Sequence, residues 1–273
     1  MSAHAAQARM HIPLDAPPGV AGFHWAPGRD TWIAALSYVA VVAALAVAFQ
    51  VFTTARVAAN FIMYGIVAVA GLGVAFPALY TVLVRQRPLS DLGLTSRLIV
   101  PSLVLGAILG LDTYRNTLAT LDFSLSSRLV PLVAMTLAVG LFEAVFFRGW
   151  LQLRFEDAFG TVPGLILAAL CYSLYHVGYG MGAGEMLFLF GYGLVFGAVF
   201  RLTNNVFVLW PFYTPAGSLY SNIKGGLDLP FEATYGFVLV LVLMAAGIAA
   251  AAVLYRNQQL RPTAAWPPTR GSA

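Results

Sequence analysis

Charge is scarce in this sequence. Asp, Glu, Lys and Arg together make up 10% of its 273 residues, where a soluble domain carries about a quarter. A water-soluble globular domain is therefore excluded. Lysine is nearly missing, Lys224 being the single example. Cysteine is as rare. Cys171 has no second cysteine to pair with, which rules out an intrachain disulfide, and inside its apolar run it reads as a small hydrophobe. Internal repeats are lacking, so the symmetry on which many transporters are built is lacking too. Histidine ends early: His4, His11 and His24 precede the first apolar run, and none follows His176.

Apolar residues fill the space that charge leaves. They make up 60% of the chain, and the mean hydropathy is +0.81. A membrane-spanning helix needs about 20 mostly apolar residues, fewer inside a bundle. Eight runs fit: 31–53, 57–84, 98–113, 128–153, 161–182, 185–203, 205–222 and 233–255. The seventh contains Pro211 and Pro215 and is expected to be kinked or broken. The fold expected is an all-α polytopic membrane bundle of about eight transmembrane helices, with tails at 1–30 and 256–273 flanking a helical domain at 31–255. The first long run starts only at Trp32, after a polar stretch with Pro and Gly, so a retained signal anchor is expected rather than a cleaved signal peptide.

Arginine placement sets the orientation. Arg85, Arg87, Arg97, Arg148, Arg154, Arg201, Arg256, Arg261 and Arg270 fall on one side of an eight-span topology. The other side holds Arg56, Arg115, Arg128 and Lys224 among Asp112, Asp122, Glu185, Asp228 and Glu232. The positive-inside rule then puts both termini in the cytoplasm of a multi-pass inner (plasma) membrane protein. The net charge of +4 is spent on this pattern, so the lipid bilayer is the expected partner and nucleic acid is not.

Two ionisable residues sit where lipid would surround them. Glu143 lies in the second half of the fourth run, within "LFEAVFFRGW", and His176 lies in the fifth, within "CYSLYHVGYG". An intramembrane charge costs a few kcal/mol and marks function by default. With a hairpin apex between Phe159 and Gly160, each is about 16 residues from it and both lie at one depth. They are expected to face the bundle interior, close enough to share a water. Tyr172, four residues before His176, shares its helix face and would orient the imidazole. Arg148 lies about 140° around an α-helix from Glu143. It is therefore expected near the cytoplasmic boundary, as a supporting residue. A carboxylate in an apolar setting can act as general base toward water, with the imidazole positioning that water. A divalent metal such as zinc would find only Glu143 and His176 as ligands, where catalytic zinc has three.

These residues carry a resemblance. "EAVFFR" (Glu143–Arg148) and "YSLYH" (Tyr172–His176) are similar to the EExxxR and F/YxxxH motifs of the CAAX prenyl protease and bacteriocin-processing (CPBP, or Abi) membrane proteases, with Ala144 in place of the second acid. "RPLSDLGL" (Arg87–Leu94) and "GYGLVFGAVFRLTNNVFVLWP" (Gly191–Pro211) look familial as well, so the resemblance spans roughly 85–222. It implies an intramembrane endopeptidase acting on a membrane-associated peptide or protein, with Glu143 as base and His176 as its partner. The family's third motif, HxxxN/D, would start near Pro215. This chain reads "FYTPAGSLYSN" there and offers only Thr214, Ser218 and Asn222 as polar stand-ins. That loss supports an alternative, a catalytically inactive relative serving as a structural subunit or assembly factor of a larger membrane complex. The topology is directly checkable: reporter fusions at Ala119 and Gly226 should read the outer side, and fusions at Ser90 and Ala264 the inner side. A cytoplasmic signal at Gly226 would remove the seventh span.

Overall fold

The computed structural model describes residues 22–52, 56–121 and 129–260. The expected tails, 1–30 and 256–273, lie mostly outside these residues. All regular structure among the described residues is helical. Eight principal helices follow the eight apolar runs closely. α1 is Arg29–Ala46, continued by a π-helical segment at Val47–Phe52. α2 is Val57–Leu83, α3 is Ile99–Asn116 and α4 is Leu129–Phe159. α5 is Thr161–Leu174, which tightens into a 3₁₀ turn at Tyr175–Tyr179. α6 is Ala183–Thr203, α7 is Tyr213–Lys224 and α8 is Ala233–Leu260. Five of these, α1, α2, α4, α6 and α8, are long and apolar enough to cross a membrane. The other three, α3, α5 and α7, are shorter or carry more polar residues. The seventh run is indeed broken: a 3₁₀ turn at Val206–Val208 precedes α7, and the helix begins just past Pro211.

α4 is the central helix. In its apolar window 72% of residues are buried, against 22% in α6 and α8. A helix that is apolar all round must be wrapped by other helices or by lipid, and here neighbours supply the wrapping. Phe142, Phe146, Phe147 and Trp150 are fully buried. Phe142 stacks on Phe146 at 5.7 Å, and Trp150 meets Tyr80 of α2 edge-on at 5.4 Å. The Trp150 indole N–H donates to Ser37 Oγ of α1 at 3.0 Å, which satisfies the one polar atom of that ring.

The α4–α5 hairpin turns where the sequence places it. α4 ends at Phe159, and Gly160 takes φ 94° and ψ 163°, a conformation that L side chains rarely adopt. Gly164 completes the turn, since a Cβ there would lie 2.4 Å from the Glu156 amide nitrogen. α6 then packs closely on α5, where a Cβ on Gly193 would stand 3.1 Å from the Cα of Ala169. Small residues permit such approach between helices in lipid.

One end of the bundle gathers the arginines. Arg85 bridges Asp30 at 2.7 Å and Asp91 at 3.0 Å. Arg201 lies 3.4 Å from Glu156. The Asn205 side chain holds the carbonyls of Thr95 and Arg97, at 3.0 and 2.8 Å. The starts of α1 and α3, the ends of α2, α4 and α6, and the α6–α7 connection therefore share this end.

Candidate active site

Glu143 is 7% exposed and His176 is 6% exposed, so both are enclosed by the bundle. They stand on antiparallel neighbours, α4 and the 3₁₀ extension of α5. Tyr175 connects them. Its hydroxyl donates to Glu143 Oε1, while its ring centroid lies 4.0 Å from the His176 ring. The buried Tyr172 ring lies 5.8 Å from the Tyr175 ring. An ionised carboxylate in an apolar interior needs a donor such as the Tyr175 hydroxyl, because an isolated buried charge is prohibitively costly.

At the end of α5 the Tyr172 carbonyl, four residues back, fixes the His176 imidazole. Nδ1 lies 2.9 Å from that oxygen. A carbonyl only accepts, so Nδ1 carries the proton and Nε2 of the neutral ring is an acceptor. The Tyr172 ring also meets the His176 ring edge-on at 5.3 Å. Tyr172 thus orients the imidazole as its helix face suggests, although the hydrogen bond comes from its backbone.

Arg148 is enclosed by the bundle, 1% exposed. It stands in a π-helical stretch, Ala144–Gln152, where the hydrogen bonds join residues five apart. Its guanidinium lies 5.2 Å from the centroid of the Tyr172 ring. Nη1 and Nη2 have no hydrogen-bond partner among the described residues, so Coulomb attraction and the ring face hold them. Gly197 of α6 keeps the space open, because a Cβ there would lie 3.3 Å from Arg148 Nη1 and 2.9 Å from Gln152 Oε1.

The third-motif region is less engaged. Thr214 is buried at the start of α7 against α4, where a Cβ on Gly140 would come within 3.0 Å of Thr214 Oγ1. Thr214 Oγ1 donates to the Leu209 carbonyl at 3.4 Å. Asn222 stands about 12 Å further along α7, eight residues at the helical rise. Its amide donates to Ser218 on the same helix, at 2.8 Å to the carbonyl and 3.3 Å to the hydroxyl.

Two features went unread in the sequence. Tyr175 adjoins His176, and α-helical spacing gives adjacent residues different faces. Gln152, inside the fourth run, and Glu156, just past its end, are both buried. Gln152 Nε2 donates to Glu156 Oε1 at 2.9 Å and to the Gly197 carbonyl at 3.2 Å, tying α4 to α6. Their spacing of four, with Arg201 in the same arginine-rich band, was the available signal. As to metal, no group of three or more His, Cys, Asp or Glu side chains stands together among the described residues. The groups around Glu143 are two tyrosines and a cation, a donor set that does not fit zinc.

Residues 125–214 match a family model, Rce1-like, described as type II CAAX prenyl endopeptidase Rce1-like. The match covers about a third of the chain and bears out the resemblance read from the motifs. The Rce1-like segment runs from the start of α4 to Thr214 and contains Glu143, Arg148, Tyr172, Tyr175 and His176. It stops where the third motif would start. No curated protein and no solved structure matches the chain.

Arg148 and Glu143 are opposite charges, both buried in the bundle, and removing one partner of a buried pair costs about 3–5 kcal/mol. Arg148→Met should lower unfolding stability in detergent by that amount. Adding Glu143→Leu should recover most of the loss. Unchanged stability in Arg148→Met would show that the guanidinium does not balance the carboxylate.

Proposed function

We propose that this chain is an intramembrane endopeptidase of the CAAX protease type, with Glu143 as general base. The observation that carries this reading is the buried carboxylate of Glu143, linked through Tyr175 to an oriented imidazole inside the Rce1-like segment. A water between the two helices would donate one hydrogen to Glu143 and the other to His176 Nε2. Its oxygen attacks the carbonyl carbon of a peptide bond while Glu143 takes the proton. The carbon–nitrogen bond then breaks, and the proton passes to the leaving nitrogen, giving a carboxylate and an amine. Tyr175 and Tyr172 hold the carboxylate in place, and Arg148 balances its charge. The substrate is a peptide or protein associated with the membrane. The setting proposed is the plasma membrane with both termini cytoplasmic, which the arginine pattern supports.

One observation favours a second reading. At the level where the family places its third-motif histidine, α7 offers the Thr214 hydroxyl, already engaged with the Leu209 carbonyl. Removing one donor from a preorganised site costs roughly 10²–10³-fold in rate. A non-catalytic subunit of a larger membrane complex would retain the fold without that donor.

Glu143→Gln separates the two. It keeps shape and hydrogen bonding but removes the base, worth roughly 10²–10⁴-fold. For a peptidase, the membrane-protein termini generated by the wild type should disappear in a Glu143→Gln strain, with the protein still folded and abundant. For a subunit, Glu143→Gln with His176→Ala should rescue a deletion strain fully. Gly193→Leu or Gly197→Leu, which would force α6 away from its neighbours, should not. Full rescue by the double variant would end the peptidase reading.

A further inference from the structure

We propose that a cavity between the start of α1 and the end of α4 holds the headgroup of a phospholipid, its phosphate on Arg29 and Arg154 and a primary ammonium on Asp157. The cavity measures about 280 Å³ and is lined by Gly28, Arg29, Asp30, Thr31, Arg154 and Asp157, with Ala26 at its edge.

Its floor is cationic. The first-turn amides of α1, an 18-residue helix, have no acceptor within that helix and favour an anion. Arg154 is 4% exposed, and its Nε has no hydrogen-bond partner among the described residues. Nη2 reaches the Asp91 carbonyl only at 3.5 Å, and Nη1 lies 3.4 Å from Asp157. A buried guanidinium with so few acceptors is suited to a phosphate. Arg29 is exposed beside it. Asp30 does not oppose an anion there, because its two oxygens are taken by the Tyr80 hydroxyl at 2.8 Å and Arg85 Nε at 2.7 Å.

The rim carries the opposite sign. The Asp157 side chain is 66% exposed and, among the described residues, held by the long contact to Arg154. A headgroup that joins a phosphate to an ammonium matches this order, cation within and carboxylate outside. The depth matches a lipid as well. The cavity lies where one spanning helix starts and another ends. Trp25, 71% exposed and 5.2 Å from the Phe159 ring, stands beside it, as aromatics do at headgroup level. Backbone bonds from His24 to Phe159 (3.2 Å) and from Ala26 to Ala158 (2.8 Å) fix this wall of the cavity.

The test uses the full chain in nanodiscs with equal parts phosphatidylethanolamine, phosphatidylcholine and phosphatidylglycerol, followed by native mass spectrometry of retained lipid. Wild type should keep phosphatidylethanolamine over both others. Arg29→Gln should lower retention about fivefold, the effect of one cation beside an anionic lipid surface. Asp157→Asn should erase the preference for the ethanolamine headgroup. Arg29 and Asp157 are exposed, so neither variant depends on refolding the core. Millimolar inorganic phosphate should leave the lipid in place. Equal retention of the three lipids, preference for phosphatidylglycerol, unchanged retention in Arg29→Gln, or displacement by phosphate would each overturn the proposal.

Discussion

A carboxylate held out of water must find its hydrogen bonds inside the protein. Glu143 finds one across the hairpin, in the hydroxyl of Tyr175. The rest of the site follows from that contact. It requires α4 and α5 to lie antiparallel and in register, which the tight turn at Gly160 and the close approach at Gly164 secure. Tyr175 and His176 both stand where α5 passes into the 3₁₀ turn. The His176 ring bonds the Tyr172 carbonyl, so this one junction positions both the donor to the carboxylate and the neighbouring base.

The second constraint is charge. A lone carboxylate in the centre of a bundle is destabilising, and a cation brought beside it offsets that cost only with good geometry. The π-helical stretch Ala144–Gln152 carries the buried Arg148 in the same helix as Glu143. π-Helical turns occur frequently at functional sites. Ala144, where the family motif has a second acid, leaves Glu143 as the only carboxylate in this stretch of α4. Gly197 makes room for the guanidinium, and the Gln152–Glu156–Arg201 chain fastens α6 at that distance.

The helices were legible in the sequence because lipid-scale apolar runs leave little choice of structure. Runs, breaks and the hairpin apex all came from length, glycine and proline. Glu143 and His176 were legible because ionisable residues stand out in apolar segments. What the sequence concealed depends on departures from α-helical spacing. The enclosure of Arg148 was not read because its angle was reckoned at about 3.6 residues per turn, whereas the chain is π-helical there. Tyr175 was passed over because neighbours in an α-helix point apart. Glu156 falls just past the fourth run, which closes at 153, yet α4 continues past it and Arg201 pairs with it. Tyr175 and Glu156 also depend on what the adjoining helix presents, at which only the spacing of Gln152 and Glu156 hints.

The account rests on the contact between Glu143 and Tyr175, and a double-mutant cycle measures it most directly. Stability in detergent would be determined for wild type, Glu143→Leu, Tyr175→Phe and the combined variant. A hydrogen bond to a charged group contributes about 1.5–3 kcal/mol, so a coupling energy of that order is predicted. Additivity of the two single changes within about 0.5 kcal/mol would mean that the residues do not interact. That result would contradict the arrangement of the site described here.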